Sequence, residues 1–205
     1  MPKVKSDFGL RSPNFRLPSP DFRPFPIFAS MTYIKSNELF AGMEFEKLYD
    51  RIPRPIVIAD NLRNPDNAGA LVRLSDNLGA AELLFLAEKD SQFLPKMQKV
   101  AASSFGNLHW RFENTSTIPE EIMSERVIVA LETSANASNL YETELPHKPA
   151  FIVGNERNGI RKEILAQAAM IVYIPVPGMT RSLNVTHAAA VLFFEWYRQM
   201  AARFR

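Results

Sequence analysis

The chain has 205 residues, 46% of them hydrophobic and 22% charged, with a formal net charge of +2, the proportions of a globular protein with one domain of good size. It has no cysteine, which excludes disulfides, thiol nucleophiles and cysteine-based zinc sites, and its three histidines (His109, His147, His187) have no metal-ligand spacing, so no metal is expected. No apolar run approaches a membrane span and no signal-peptide pattern opens the chain, so the expectation is a cytoplasmic protein with no membrane partner.

Residues 1–34 hold five basic residues against Asp7 and Asp21, and six prolines fall between Pro2 and Pro26. Proline at that density rules out a regular element. Two readings stand for this segment: a basic tail, or an arm whose cations and aromatics touch RNA or a partner subunit. Residues 36–50 read as a short amphipathic helix with Ser36 as N-cap. The expected division is an arm plus short helix over 1–50 and the main domain over 51–205.

From Arg54 onward, apolar strands alternate with helices. Ile56–Ala59 reads as a strand, and Asn64-Pro65 starts a helix with Asn64 as N-cap and Pro65 at its first position. Ala68, Leu71, Leu74, Ser75 and Leu78 share one face of that helix, which Gly79 closes. Leu83–Leu86 is the next strand, Pro95–Ser103 a helix and Leu108–Phe112 a strand. Val127–Leu131, Ala150–Val153 and Met170–Ile174 complete the strands, with short helices near 119–125 and 161–168. The last helix is expected over Ser182–Arg203. Strands apolar throughout and separated by helices indicate an α/β fold, a parallel sheet covered on both faces. Ligands of such sheets bind beyond the carboxyl ends of the strands.

Three unusual loops follow strands in this chain. Asn64 to Arg73, NPDNAGALVR, places Asn67 in a first helical turn and Arg73 on the side away from the Leu71/Leu74 face. Taken alone, Arg73 reads as an exposed cation pairing with Asp76 or Asn77. Phe151 to Ile160, FIVGNERNGI, has Gly154 for close backbone approach and Glu156 where a helix is about to begin. No G-x-G-x-x-G occurs, so a dinucleotide-binding fold is not supported. Ile174 to Val185, IPVPGMTRSLNV, is the third. Pro175 and Pro177 stiffen it and leave carbonyls free, Gly178 is read as the residue that lets it turn, and Ser182 and Asn184 are capping residues at a positive helix end.

Together, N-A-G-A-L-V-R (67–73), G-N-E-R-N-G (154–159) and I-P-V-P-G-M-T-R-S-L-N-V (174–185) resemble the three motifs of the SpoU family of RNA 2′-O-ribose methyltransferases, in the SPOUT superfamily. The resemblance runs from about Ile56 to Trp196. It implies a SPOUT-type parallel sheet with a C-terminal deep trefoil knot, which no periodicity could reveal. It implies S-adenosylmethionine as cofactor, tRNA or rRNA as substrate and a homodimer whose site is completed near the interface. By the same resemblance, backbone groups of Leu131, Gly154, Ile174 and Leu183 hold adenine and ribose, and Glu132 and Thr133 form the opposite wall. Asn155, Pro175, Gly178, Ser182 and Asn184 complete the expected cofactor set. The expected catalytic set is Arg73, Asn67, Glu156, Ser182 and Asn184. A guanidinium is effectively always protonated, so Arg73 is assigned to stabilising alkoxide charge or clamping the adjacent phosphate rather than to acting as base. Proton loss is then to water, to the phosphate, or to an Arg73 made less basic by the site.

The chain departs from the family pattern at Val176-Pro177 and at Thr186-His187. His187 has two readings, facing the site or capping a polar pocket. The final helix is apolar on more than one face, which fits either a subunit interface or deep burial in one chain. An inactive knotted RNA-binding protein is the rival to an enzyme; the intact motif residues weigh against it.

Overall fold

The computed structural model describes residues 34–41, 45–88 and 91–204. The chain divides into two units, Met1–Met43 and Glu44–Arg205. In the first, residues Ser36–Leu39 form a single helical turn, α1. The proline-rich arm expected at 1–34 lies outside the described residues, apart from Ile34 at its end.

The helix expected over 36–50 is instead α1 and a separate 3₁₀ helix, Phe45–Asp50. Ser36 is the first helical residue rather than the cap, since Lys35 holds the cap position without a side-chain bond. The sequence supplies Gly42 between the two pieces, a residue that disfavours helix continuation.

The second unit is built on seven parallel strands: β1 Ile56–Asp60, β2 Glu82–Leu86, β3 Trp110–Glu113, β4 Val127–Leu131, β5 Ser138–Asn139, β6 Pro149–Val153 and β7 Met170–Tyr173. Their spatial order is β3-β2-β1-β6-β4-β7-β5, and every pairing is parallel. The helices are α2 Pro65–Leu78, α3 Leu94–Ala101, α4 Ser104–Asn107, α5 Glu120–Glu125, α6 Lys162–Leu165 and α7 Val185–Arg203. The two-residue β5 and the 3₁₀ turn Leu140–Glu142 were not foreseen, being too short to show a period.

Alternation along the strands sorts side chains onto two faces. Val57, Ala59, Leu83, Phe85, Phe151 and Val172 join one core with Leu71 of α2, Met97 of α3 and Trp196 of α7. Ile56, Ile58, Leu84, Ile128 and Ile152 join the other, with Ile122 of α5 and Ile164 of α6. Apolar burial on both faces is what makes the strands read as continuous hydrophobic runs. On α7, Leu192, Phe193 and Trp196 are fully buried within this chain, while Phe194 is 49% exposed. These buried side chains pack within their own chain, against α2 and the sheet.

α2 forms as its sequence dictates. The Asn64 side chain accepts from the Asp66 N–H at 2.8 Å, Pro65 occupies the first position, and Gly79 ends the helix at φ 73°. α7 starts three residues later than expected, with Asn184 as its cap, so Ser182 and Leu183 stay in the loop. Among the described residues no helix is long and apolar enough to cross a membrane.

Where the sheet begins, the Tyr49 hydroxyl donates to the Leu78 carbonyl and Arg54 lies 4.5 Å from the Tyr49 ring centre. Burial pushes the Tyr49 phenol up from 10.0 to about 12, with Tyr197 adding to the rise and Arg54 opposing it. A raised pKa favours the neutral phenol in the folded state. Its contribution is therefore present below pH 10 and is lost as pH climbs towards 12. Denaturant melts of Tyr49→Phe should lack this part of the alkaline loss; an unchanged pH profile would show that Tyr49 does not cause it.

Candidate active site

Loops leaving the carboxyl ends of β4, β6 and β7 line one cleft of about 320 Å³. Leu131, Glu132 and Thr133 supply one wall, and Gly154, Asn155 and Glu156 another. Ile174, Ser182, Leu183 and Asn184 close the third side. Nine residues expected to hold the cofactor, together with Glu156, thus share one cavity. Pro175 and Gly178 do not line it, and neither do Asn67 and Arg73.

The 154–161 loop is held from both sides. Asn155 and Gly159 exchange two backbone hydrogen bonds at 3.0 Å. Asn155 Oδ1 accepts from the N–H groups of Arg157 and Asn158, and its Nδ2 donates to the Asn61 carbonyl at 2.7 Å. From β4, Glu132 Oε2 accepts the Ile160 N–H at 2.9 Å, and Oε1 accepts that of Thr133 at 2.9 Å. From β1, Asp60 accepts the backbone N–H and Nε of Arg161, each at 2.7 Å. Gly159 adopts φ 67°, and a Cβ there would strike the Glu132 carboxylate. Gly154 backs directly onto the Gly159 carbonyl, leaving no room for a side chain. These two glycines are required by contact.

Gly178 is different. A Cβ there would meet only the Thr180 oxygen at 3.9 Å, so no clash in this chain demands glycine, contrary to the sequence expectation. Between residues 176 and 183, no backbone group makes a backbone hydrogen bond among the described residues. The loop thus offers unengaged carbonyls and N–H groups beside the cleft.

Asn67, Glu156 and Asn184, one from each motif, form a hydrogen-bonded chain. Asn184 Nδ2 donates to Asn67 Oδ1 at 3.1 Å, and Asn67 Nδ2 donates to Glu156 Oε1 at 2.7 Å. Asn184 Oδ1 also accepts the Thr186 N–H at 2.9 Å, which sets the start of α7. Asn67 is 8% exposed. Its amide can satisfy both neighbours only if α2, the β6 loop and α7 keep this spacing, so it ties the three motifs together.

Arg73 lies six residues beyond Asn67 on α2, about 9 Å along the axis and roughly 120° around it. It is exposed, and among the described residues it pairs with neither Asp76 nor Asn77. His187 is exposed and does not line the cleft.

The Asp60–Arg161 pair was not foreseen. Asp60 is fully buried at the end of β1, and Arg161 also donates to the Leu86 and Thr115 carbonyls. One signal was available: an aspartate finishing the apolar run IVIAD must find a partner if that strand is central. Arg157, Tyr173 and Arg181 also line the cleft without having been singled out.

Among the described residues no group of histidine, aspartate and glutamate could hold a metal ion. The cleft instead suits a folded organic ligand. It combines apolar walls from Val153, Ile174 and Leu183, unengaged backbone groups, and carboxylates held in place.

This combination of a parallel sheet and three strand-end loops defines an α/β protein with a ligand cleft at its carboxyl edge. The SpoU rRNA methylase family model matches residues 54–194, and the chain belongs to that family. It is 30% identical over 165 residues to the mouse tRNA (guanosine(18)-2′-O)-methyltransferase TARBP1, covering 75% of this chain and 10% of that one. It is 25% identical over 173 residues to the 23S rRNA (guanosine-2′-O-)-methyltransferase RlmB of Pseudomonas syringae pv. tomato, covering 83% of this chain and 69% of that one. The crystal structure of the SpoU methyltransferase AviRb from Streptomyces viridochromogenes, in complex with the cofactor AdoMet, matches with a TM-score of 0.64 and 24% identity. That match covers 75% of this chain and 64% of the other, and it speaks for the fold.

Proposed function

We propose that this protein is an S-adenosylmethionine-dependent 2′-O-ribose methyltransferase acting on tRNA or rRNA. The observation that carries the reading is the Asn184–Asn67–Glu156 chain, which joins the three motif loops at one cleft. The relatives named above as guanosine 2′-O-methyltransferases support it.

Bound in the cleft, the cofactor would supply a methyl group on a sulfonium with a good leaving group. Leu131, Gly154, Ile174 and Leu183 would hold it, with Glu132 and Thr133 on the facing side. The protein's remaining task is to orient a ribose hydroxyl in line and favour loss of its proton. Glu156 is held by Asn67 and lines the cleft, so its carboxylate is fixed before substrate arrives. Arg73 would stabilise the developing alkoxide or clamp the neighbouring phosphate. Its exposed position outside its own chain's cleft supports a homodimer in which a second subunit completes the site.

In the same reading the C-terminal segment from Ile174 threads the chain as a trefoil knot. Residues 51–205 are the methyltransferase domain, preceded over 1–50 by the arm and its short helical segment; RNA contact falls to residues 1–50, the catalytic surface or the second subunit, and the enzyme works in the cytoplasm. No metal takes part. The test is incubation with methyl-labelled S-adenosylmethionine and bulk RNA. Label entering RNA is expected; binding of both ligands without transfer would establish the inactive RNA-binding alternative.

A further inference from the structure

Four charged side chains line the cleft, and they differ in how they are engaged. The two carboxylates are occupied: Glu132 accepts two backbone N–H groups, and Glu156 accepts the Asn67 amide. The two guanidiniums, Arg157 and Arg181, are exposed and have no hydrogen-bond or ion-pair partner among the described residues. They come from different loops, those after β6 and β7, yet line the same cavity. The cavity also has an apolar part, formed by Val153, Ile174, Leu183 and Ala188. A ligand placing a flat apolar group against those residues and an anionic end beside the arginines would use both halves.

We infer that Arg157 and Arg181 form an oxyanion site at the mouth of the cleft. Guanidinium binds carboxylate and phosphate through paired N–H donors in a planar fork. Two sources of oxyanion are available under the methyltransferase reading, on which this inference rests. One is the amino-acid carboxylate of the cofactor; the other is a phosphate of the RNA. Neither guanidinium is paired with the nearby carboxylates: both Glu132 oxygens and Glu156 Oε1 accept amide N–H groups instead.

The test uses the full chain and the double variant Arg157→Gln/Arg181→Gln. Neither side chain has a partner to lose, so the variant should melt with the wild type. Calorimetry would compare S-adenosylhomocysteine with 5′-methylthioadenosine, which keeps the adenosine but lacks the carboxylate. If the carboxylate is the oxyanion, the variant loses about tenfold or more in affinity for the first, as expected for charge-assisted bonds, and none for the second. If phosphate is the oxyanion, both small ligands bind normally. RNA binding then weakens, and its log–log salt slope falls by about 0.7–0.9 per arginine. Unchanged binding of S-adenosylhomocysteine and of RNA would overturn the site. Equal losses for both adenosine ligands would overturn it as well. A wild-type protein that binds neither adenosine ligand would instead sink the cofactor reading itself.

Discussion

Arg73→Ala is expected to abolish methyl transfer while leaving cofactor binding nearly intact. The expectation follows from where Arg73 is. It lies outside the cleft of its own chain, on the solvent side of α2, so its loss removes nothing that holds the cofactor there. Its contribution would be to charge that develops on the ribose oxygen or to the phosphate beside it. Removing one such donor costs on the order of 10²–10³ in turnover, and more where positioning is lost with it. Single-turnover transfer and calorimetry on the same preparation separate the two effects. Near wild-type turnover would remove Arg73 from the chemistry, and lost cofactor affinity would place its role in binding.

The second large effect is on stability. Asp60→Ala should destabilise the fold by about 2–4 kcal/mol, less than for a pair buried on both sides, because the Arg161 side chain is 32% exposed and recovers part of its solvation. Asp60 is fully buried and holds both the backbone and the side chain of Arg161. Its loss frees the end of the loop that presents Glu156. For a chain of this length the melting temperature should fall by roughly 10 °C. Asp60→Asn keeps an acceptor and should lose less. The variant should also bind cofactor more weakly, because the 154–161 loop loses its anchor on β1. A melt matching the wild type would mean that the pair does not secure this loop.

The sheet and its helices were largely legible because their signals are local or periodic. Asn64-Pro65 and Gly79 bracket α2 by chemistry that acts within a few residues, and the short apolar runs at Ile56, Leu83 and Val127, each set off from a helix, read as strands of a covered parallel sheet. The start of α7 is ambiguous in sequence because Ser182 and Asn184 are both good caps; the link from Asn184 to Asn67, 117 residues away, shows which one is fixed. The same holds for the site. The motif residues could be found in the sequence, but their convergence depends on pairings across the sheet. Glu132 reaches Ile160, and Asp60 reaches Arg161 across 101 residues. Gly178 marks the opposite limit, a residue with an apparent local reason for which this chain offers no steric need.

The most direct measurement is the chemical position of the transferred methyl group. RNA labelled by the purified protein would be hydrolysed with alkali, which cuts next to a free 2′-hydroxyl and spares a 2′-O-methylated nucleotide, and the resulting species identified by mass. Label is expected in alkali-resistant dinucleotides carrying the methyl on ribose. Label on a base, or cofactor and RNA bound without any transfer, would contradict it.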